Sequence, residues 1–314
     1  MERVRLVHGN GGRFSHELTE RFILKYFTND LLAPVASGRM AFTTDSYVVQ
    51  PTFFPGGNIG KLAVCGTVND LAMNGAVPQY LSCGLILEEG LPFDELEAIL
   101  STMSDMAKLA NVQIVTGDTK VVKKGEVDKI YINTAGIGMI PDGIHIGPNV
   151  VKPNMDIILS GSIGDHSIAV MGERFGLELS DSVKTDCAPL NHMVHAVLNA
   201  VGPQVALLRD PTRGGVGTVL KEIAEQSQVG IKVEESKFII HDEVRSVCDI
   251  LGYDPLYLAN EGKCIFVVEP SVTNDVLDIL HSYPEGREAT HIGVTMDKNI
   301  GKVGLQTAIG GVRL

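Results

Sequence analysis

Residues 141–156, PDGIHIGPNVVKPNMD, divide the chain in two. The stretch is dense in Pro, Gly and Asn, residues that end regular structure and start turns. Before it, RMAFTTDSYVVQ (39–50) is rich in β-branched and aromatic residues and predicts a strand. A Pro-Gly-Gly loop follows, then a helix over 61–73. YLSCGLIL (80–87) predicts a second strand, and 92–110 a helix. In that helix Leu96, Ile99, Leu100, Met103, Met106 and Ala107 recur at helical spacing, and Pro92 suits a first turn. VQIVTGDTKVV (112–122) and KIYINTAGIGMI (129–140) read as two further strands. After the break the pattern restarts, with strands over 156–164, 265–269 and 290–295 and helices over 188–201, 214–228 and 272–282. Both halves mix strands and helices in the α+β manner, so the expected domains are 1–150 and 151–314. IVTGD (114–118) and ILSGSIGD (158–165) each run an apolar strand into a Gly-Asp turn, a hint of two related halves.

A compact chain of 314 residues buries roughly 75% of its unfolded surface and needs no staples. Its five cysteines stand apart, with no C-x-x-C pair. The opening MERVRLVHGNGG lacks the apolar core of a signal peptide. No apolar run approaches the ~20 residues of a membrane span. The expectation is a cytoplasmic protein with reduced thiols and no membrane partner. A net charge of −12 argues against nucleic acid, which favours a basic footprint. It does not argue against ATP, because a bound Mg²⁺ reconciles carboxylates with phosphates.

FFPGGNIGKLAVCGTVNDLAMNGA (53–76) invites comparison with a phosphate loop. That loop requires G-x-x-x-x-G-K followed by Ser or Thr. Here three residues separate Gly56 from Gly60, and Leu62 follows Lys61. The stronger candidates are four aspartates at loop edges: Asp45 in TTDSY, Asp70 in TVNDLA, Asp118 in VTGDTK and Asp210 in LRDPTRGGV. Mg²⁺ takes a few carboxylates plus phosphate oxygens and water; the bland alternative is a set of turn and cap aspartates. Lys120 lies two residues beyond Asp118, on the same face of an extended strand, where a lysine can meet phosphate. Gly9, Gly11 and Gly12 in VHGNGG give a polyphosphate close access to backbone N–H groups, or form a flexible arm. DPTRGGVG (210–217) leads a Gly pair into a helix N-terminus, which attracts anions. LANEGK (258–263) is either a capped turn or a polar site beside a buried strand. His192 and His195 read as a surface pair, and Cys248 and Cys264 as small buried hydrophobes.

FPGGNIGKLAVCGTVNDLAMNGAVPQYLS, GLILEEGLP, IVTGDTKVV, INTAGIG, RDPTRGGV and NEGK, in that order, resemble the HypE family of hydrogenase maturation proteins. That family lies in the superfamily of aminoimidazole ribonucleotide synthetase and selenophosphate synthetase. The likeness runs from about His8 to Arg313 and is specific in combination. It implies two mixed α/β domains, the first binding ATP and forming a homodimer in which the N-terminal sheets pair into a barrel. It implies a carbamoyl group delivered by the carbamoyltransferase HypF to a C-terminal cysteine thiol. ATP then drives its dehydration to a thiocyanate, and the cyano group passes with a HypC–HypD complex to the iron of a [NiFe]-hydrogenase.

Carried onto this chain, the resemblance makes Asp45, Asp70, Asp118 and Asp210 the holders of Mg²⁺ and ATP phosphates. Lys120 contacts phosphate, Gly9, Gly11 and Gly12 close over it, and Glu261 is the acid–base group at the amide. The superfamily often has Asp where this chain has Asn58, so Asn58 stays outside the metal shell. The family also ends in Pro-Arg, an apolar residue and Cys, whereas this sequence stops at IGGVRL; a tail continuing to a cysteine is expected. Two other readings fit the residues: a kinase or synthetase acting on a free small molecule, and a nucleotide-responsive maturation scaffold.

Overall fold

The structure, a computed structural model, describes residues 39–308 except 178 and 180–182, together with 310–313. The expected phosphate contacts Gly9, Gly11 and Gly12 lie outside the described residues.

The first half is a four-stranded sheet covered on one face by two helices. β1 (Met40–Tyr47) is followed by the short hairpin β2 (Phe53–Phe54) and β3 (Gly57–Asn58), then α1 (Ile59–Met73). Gly56 turns that hairpin with φ of 85°, a left-handed value open to glycine. α1 begins two residues before the predicted start because Asn58 caps it: Asn58 Oδ1 accepts from the Gly60 N–H at 2.9 Å and the Lys61 N–H at 3.2 Å. Lys61 Nζ donates to the Gly56 carbonyl at 3.0 Å, closing its own loop. β4 (Val77–Glu88), α2 (Phe93–Leu109), β5 (Gln113–Val122) and β6 (Ile130–Met139) complete this half. α2 buries Ile99, Met103 and Ala107, one stripe of the predicted set, against α1 and the sheet. The strand order is β1-β6-β4-β5, with β6 antiparallel to its neighbours and β4 parallel to β5. Among the described residues β1 and β5 are therefore the two open edges. The face away from the helices exposes Phe42, Tyr80 and Ile86.

The second half is a seven-stranded sheet. Its elements are β7 (Asp156–Leu159), α3 (Asp165–Phe175), α4 (Asn191–Val201), β8 (Val205–Arg209), α5 (Gly215–Gln226), β9 (Gly230–Glu234) and α6 (Asp242–Leu251). Then come β10 (Ile265–Val268), α7 (Thr273–His281), β11 (Thr290–Met296), β12 (Val303–Gln306) and β13 (Val312–Arg313). The order is β13-β12-β9-β11-β7-β10-β8. α5 packs on one face around Val219, Leu220 and Ile223, and α4 and α7 pack on the other around Val194, Val197 and Leu280. β7 and β10 lie between these layers, and their apolar side chains are almost wholly buried. β7 is shorter than the strand predicted over 156–164: the Ser160 N–H still donates to the Cys264 carbonyl at 3.0 Å, but the return bond from the Cys264 N–H goes to the Ser160 hydroxyl at 2.9 Å instead of its carbonyl.

The halves share a packed seam. Ala72 and Met73 at the end of α1 join the core beneath α4 and β10, while Val170 and Cys187 join the core around α1. Packed elements of both halves thus meet at the seam. Among the described residues no helix is long and apolar enough to cross a membrane.

Candidate active site

Asp45, Asp70, Asp210 and Glu261 line one cleft of about 1080 Å³ at the seam, a volume suited to a nucleotide-sized ligand. Strand alternation turns Thr43, Asp45 and Tyr47 towards α1. Asp70 comes from the last turn of α1, where Thr43 Oγ1 donates to its Oδ2 at 2.9 Å. Asp210 directly follows β8, and Arg209 and Arg213 stand beside it in the wall. Arg209 is held to Glu222 of α5 at 2.9 Å.

The cleft concentrates negative charge. The carboxyl group of Asp70 is pushed up to about 7, first by burial and then by the Asp210 carboxylate; the Thr43 hydrogen bond opposes this. Asp210 is raised by burial and by Asp45, against the pull of Arg209 and Arg213. Glu261 is raised well above the usual carboxylate range by burial, then Asp186, Asp210 and Asp45. Among the described residues no three His, Cys, Asp or Glu side chains cage a metal by themselves. The oxygen-only carboxylates nevertheless fit Mg²⁺, which commonly takes one or two carboxylates and completes its shell with phosphate oxygens and water. A cation among them removes the mutual repulsion that raises Asp70 and Asp210.

Asp118 and Lys120 lie elsewhere in this chain. Both sit on the edge strand β5, paired with each other at 2.7 Å and about 70% exposed. Asp118 pairs with Gly84 of β4, on the sheet face opposite the helices, and lines a separate groove beside α2. The Lys120 ammonium and the Thr119 N–H hold the Asp118 carboxyl low. Asn58 is spent on the α1 cap, and its Nδ2 donates to Thr102 at 2.9 Å. His192 is exposed and bonds the Leu109 carbonyl at 2.7 Å, while Cys248 and Cys264 are buried.

Several residues of the site carry little signal in sequence. Arg213 stands inside the DPTRGGVG motif, but its neighbours draw the eye. His166 enters the cleft from α3, a helix whose apolar pattern is broken by polar residues, with Nδ1 2.8 Å from the Thr185 hydroxyl. Burial lowers the His166 pKa, against the pull of Asp186. Asp186 reaches the site only because the 183–190 loop crosses the NEGK loop. There a Cβ at Gly262 would collide with the Asp186 carbonyl, so the crossing requires glycine.

The two halves match the family models "AIR synthase related protein, N-terminal domain" over residues 30–140 and "AIR synthase related protein, C-terminal domain" over residues 152–306. The fold and site therefore define an AIR-synthase-type protein. A curated relative, carbamoyl dehydratase HypE of Rhizobium leguminosarum bv. viciae, is 47% identical over 321 residues, covering 99% of this chain and 91% of the relative. The structure of a HypE–HypF complex superposes with a TM-score of 0.90 at 44% identity, covering 95% of this chain and 98% of that one. HypE in complex with ATP superposes with a TM-score of 0.86 at 45% identity, covering 98% and 96%. This chain belongs to the carbamoyl dehydratase HypE family.

Proposed function

We propose that the protein uses ATP to dehydrate a carbamoyl group, carried on a C-terminal cysteine thiol, to a thiocyanate that supplies the cyanide of a [NiFe]-hydrogenase iron. The observation that carries this reading is one cleft holding two kinds of group. Asp45, Asp70, Asp210 and two arginines suit metal-bound phosphates, and Glu261 suits proton transfer.

An amide oxygen is a poor leaving group. Attack of the carbamoyl oxygen on the γ-phosphorus forms an O–P bond, breaks the bond to ADP and leaves an O-phosphorylated imidate. Removal of the two N–H protons and departure of phosphate with the C–O bond pair then give the C≡N group. The balance is carbamoyl thioester plus ATP to thiocyanate plus ADP and phosphate. Glu261, at the cleft wall, takes one N–H proton, and the departing phosphate carries away the other. Asp45, Asp70 and Asp210 hold Mg²⁺, which when bound neutralises charge developing on the phosphoryl group. Arg209 and Arg213 add positive charge at the same wall.

Asp118 and Lys120 enter this scheme from a second copy. Their strand and the strand of Asp45 are the two open edges of the sheet among the described residues. A homodimer closing both edges into a barrel brings β5 of one subunit beside β1 of the other and covers the exposed apolar face. The same reading keeps the division at 150/151 and a cytoplasmic location. It names a HypF-type carbamoyltransferase as donor partner, in line with the HypE–HypF complex, and a HypC–HypD-type complex as acceptor. The test is mass spectrometry of the full-length protein carbamoylated on its tail. ATP must cause a mass loss of one water at the terminal thiol, and Asp70→Asn must prevent it. Hydrolysis of ATP with an unchanged tail would sink the proposal.

A further inference from the structure

Glu261 stands on a loop, and a proton-transferring group on a loop is only as well aimed as its backbone. Side chains from two other segments grip its peptide at both ends. Asp186 Oδ1 accepts the Glu261 N–H at 3.1 Å. Asn69 Nδ2 donates to the Glu261 carbonyl at 3.3 Å and to the Ala188 carbonyl at 3.0 Å. The Asn69 Oδ1 accepts the Leu190 N–H at 2.8 Å, so its whole amide is engaged. Asn69 is 2% exposed and the Asp186 side chain 3%, which shields these bonds from competing water. Lys263 Nζ stands 3.5 Å from Asp186 Oδ2 and balances the charge of this otherwise unbonded oxygen.

The placement of Asn69 gives the grip a purpose. It precedes Asp70 in α1, so one amide joins the helix carrying a phosphate-side carboxylate to the loop carrying the acid–base group. Asn260 secures the preceding residue: its Nδ2 donates to the Pro211 carbonyl at 3.2 Å, next to Asp210. Asn69 thereby registers Asp70 with Glu261 across the seam between the halves, and Asn260 registers Asp210 with Glu261 within the second half.

We propose that Asn69 and Asp186 are positioning residues that clamp the Glu261 peptide and hold the acid–base side of the cleft in register with its phosphate side. The proposal rests on the role given above to Glu261. Catalysis by held groups is sensitive to displacement: a 1 Å misplacement costs about 10²-fold.

The test uses the full-length protein, carbamoylated by a HypF-type transferase, in single-turnover reactions with ATP. Asn69→Ala is expected to slow dehydration about 10²-fold, with ATP affinity changed less than about threefold, the split expected of a residue acting only on the chemical step. Two double variants isolate the Asp186 oxygen without stranding a buried cation. Asp186→Asn with Lys263→Met keeps an acceptor for the Glu261 N–H and should turn over within about fivefold of wild type, whereas Asp186→Ala with Lys263→Met should fall as Asn69→Ala does. If Asn69→Ala does not fold, this pair alone decides. Wild-type turnover by the variants lacking the clamp, with Glu261→Gln inactive, overturns the clamp. So does a parallel loss of ATP affinity and rate, which marks a purely structural role. Full turnover by Glu261→Gln instead removes the acid–base assignment and the clamp together.

Discussion

Replacing Asp70 by Asn should make the protein more stable and inactive at once. In the cation-free chain the Asp70 carboxyl is raised from 3.8 to about 7. At 1.36 kcal/mol per unit this corresponds to about 4 kcal/mol against the ionised form. Water and counter-ions entering the cleft reduce the figure, so about 2–4 kcal/mol is expected above pH 7. The sign follows from linkage. A carboxyl group raised on folding leaves stability intact below its unfolded pKa, and the contribution is lost as pH rises through the folded value. Wild-type stability should therefore fall between about pH 4 and 7, and this component should be missing in Asp70→Asn. Asn retains an oxygen to accept the Thr43 hydroxyl, so the substitution removes charge with little change of shape. The assay is urea unfolding at pH 4.5 and 8.5, without Mg²⁺ or nucleotide. The variant should gain about 2–4 kcal/mol at the higher pH and little at the lower. A variant less stable than wild type at pH 8.5, or a difference independent of pH, would refute the reasoning. Mg²⁺ with ATP should then stabilise wild type more than the variant.

Further outcomes can be measured on the same protein. Glu261→Gln should keep ATP binding, followed by calorimetry, while dehydration falls about 10²–10⁴-fold. Asp118→Asn and Asp45→Asn should each inactivate; mixing and re-annealing the two should restore about one quarter of wild-type activity, because half the dimers are mixed and each has one intact site. No recovery on mixing would place Asp118 outside a partner's cleft. Gly262→Ala should unfold at lower temperature than wild type in a thermal melt and lose turnover, because the Asp186 carbonyl occupies the space of the new methyl group.

The sequence was most readable where periodicity was strong and uninterrupted. α2 follows its apolar stripe closely, and the strands from 80 to 140 sit where their β-branched runs place them. It was least readable where polar residues interrupt a core element. α3 carries Asp165, His166 and Ser167 in its first turn; Asp165 meets the nearby Ser162, but His241, Ala259 and Asn260, which also hold this turn, lie far along the chain. Asp70 could be picked out by its motif, but the cause of its raised pKa could not. That depends first on burial at the seam and then on Asp210, which arrives from another sheet. Asn69 and Asp186 were silent for the same reason: a clamp is a relation between segments, and neither segment carries a signature of the other. Asp118 marks the opposite case, a residue chosen from its motif that a single chain leaves apart from its expected companions.

Isotope tracing tests the central claim most directly. With ¹⁸O in the carbamoyl oxygen of the loaded full-length protein, attack of that oxygen on the γ-phosphorus and later C–O cleavage must carry the label into inorganic phosphate. The account predicts one labelled oxygen in phosphate for each thiocyanate formed. Thiocyanate formed with label-free phosphate would contradict it.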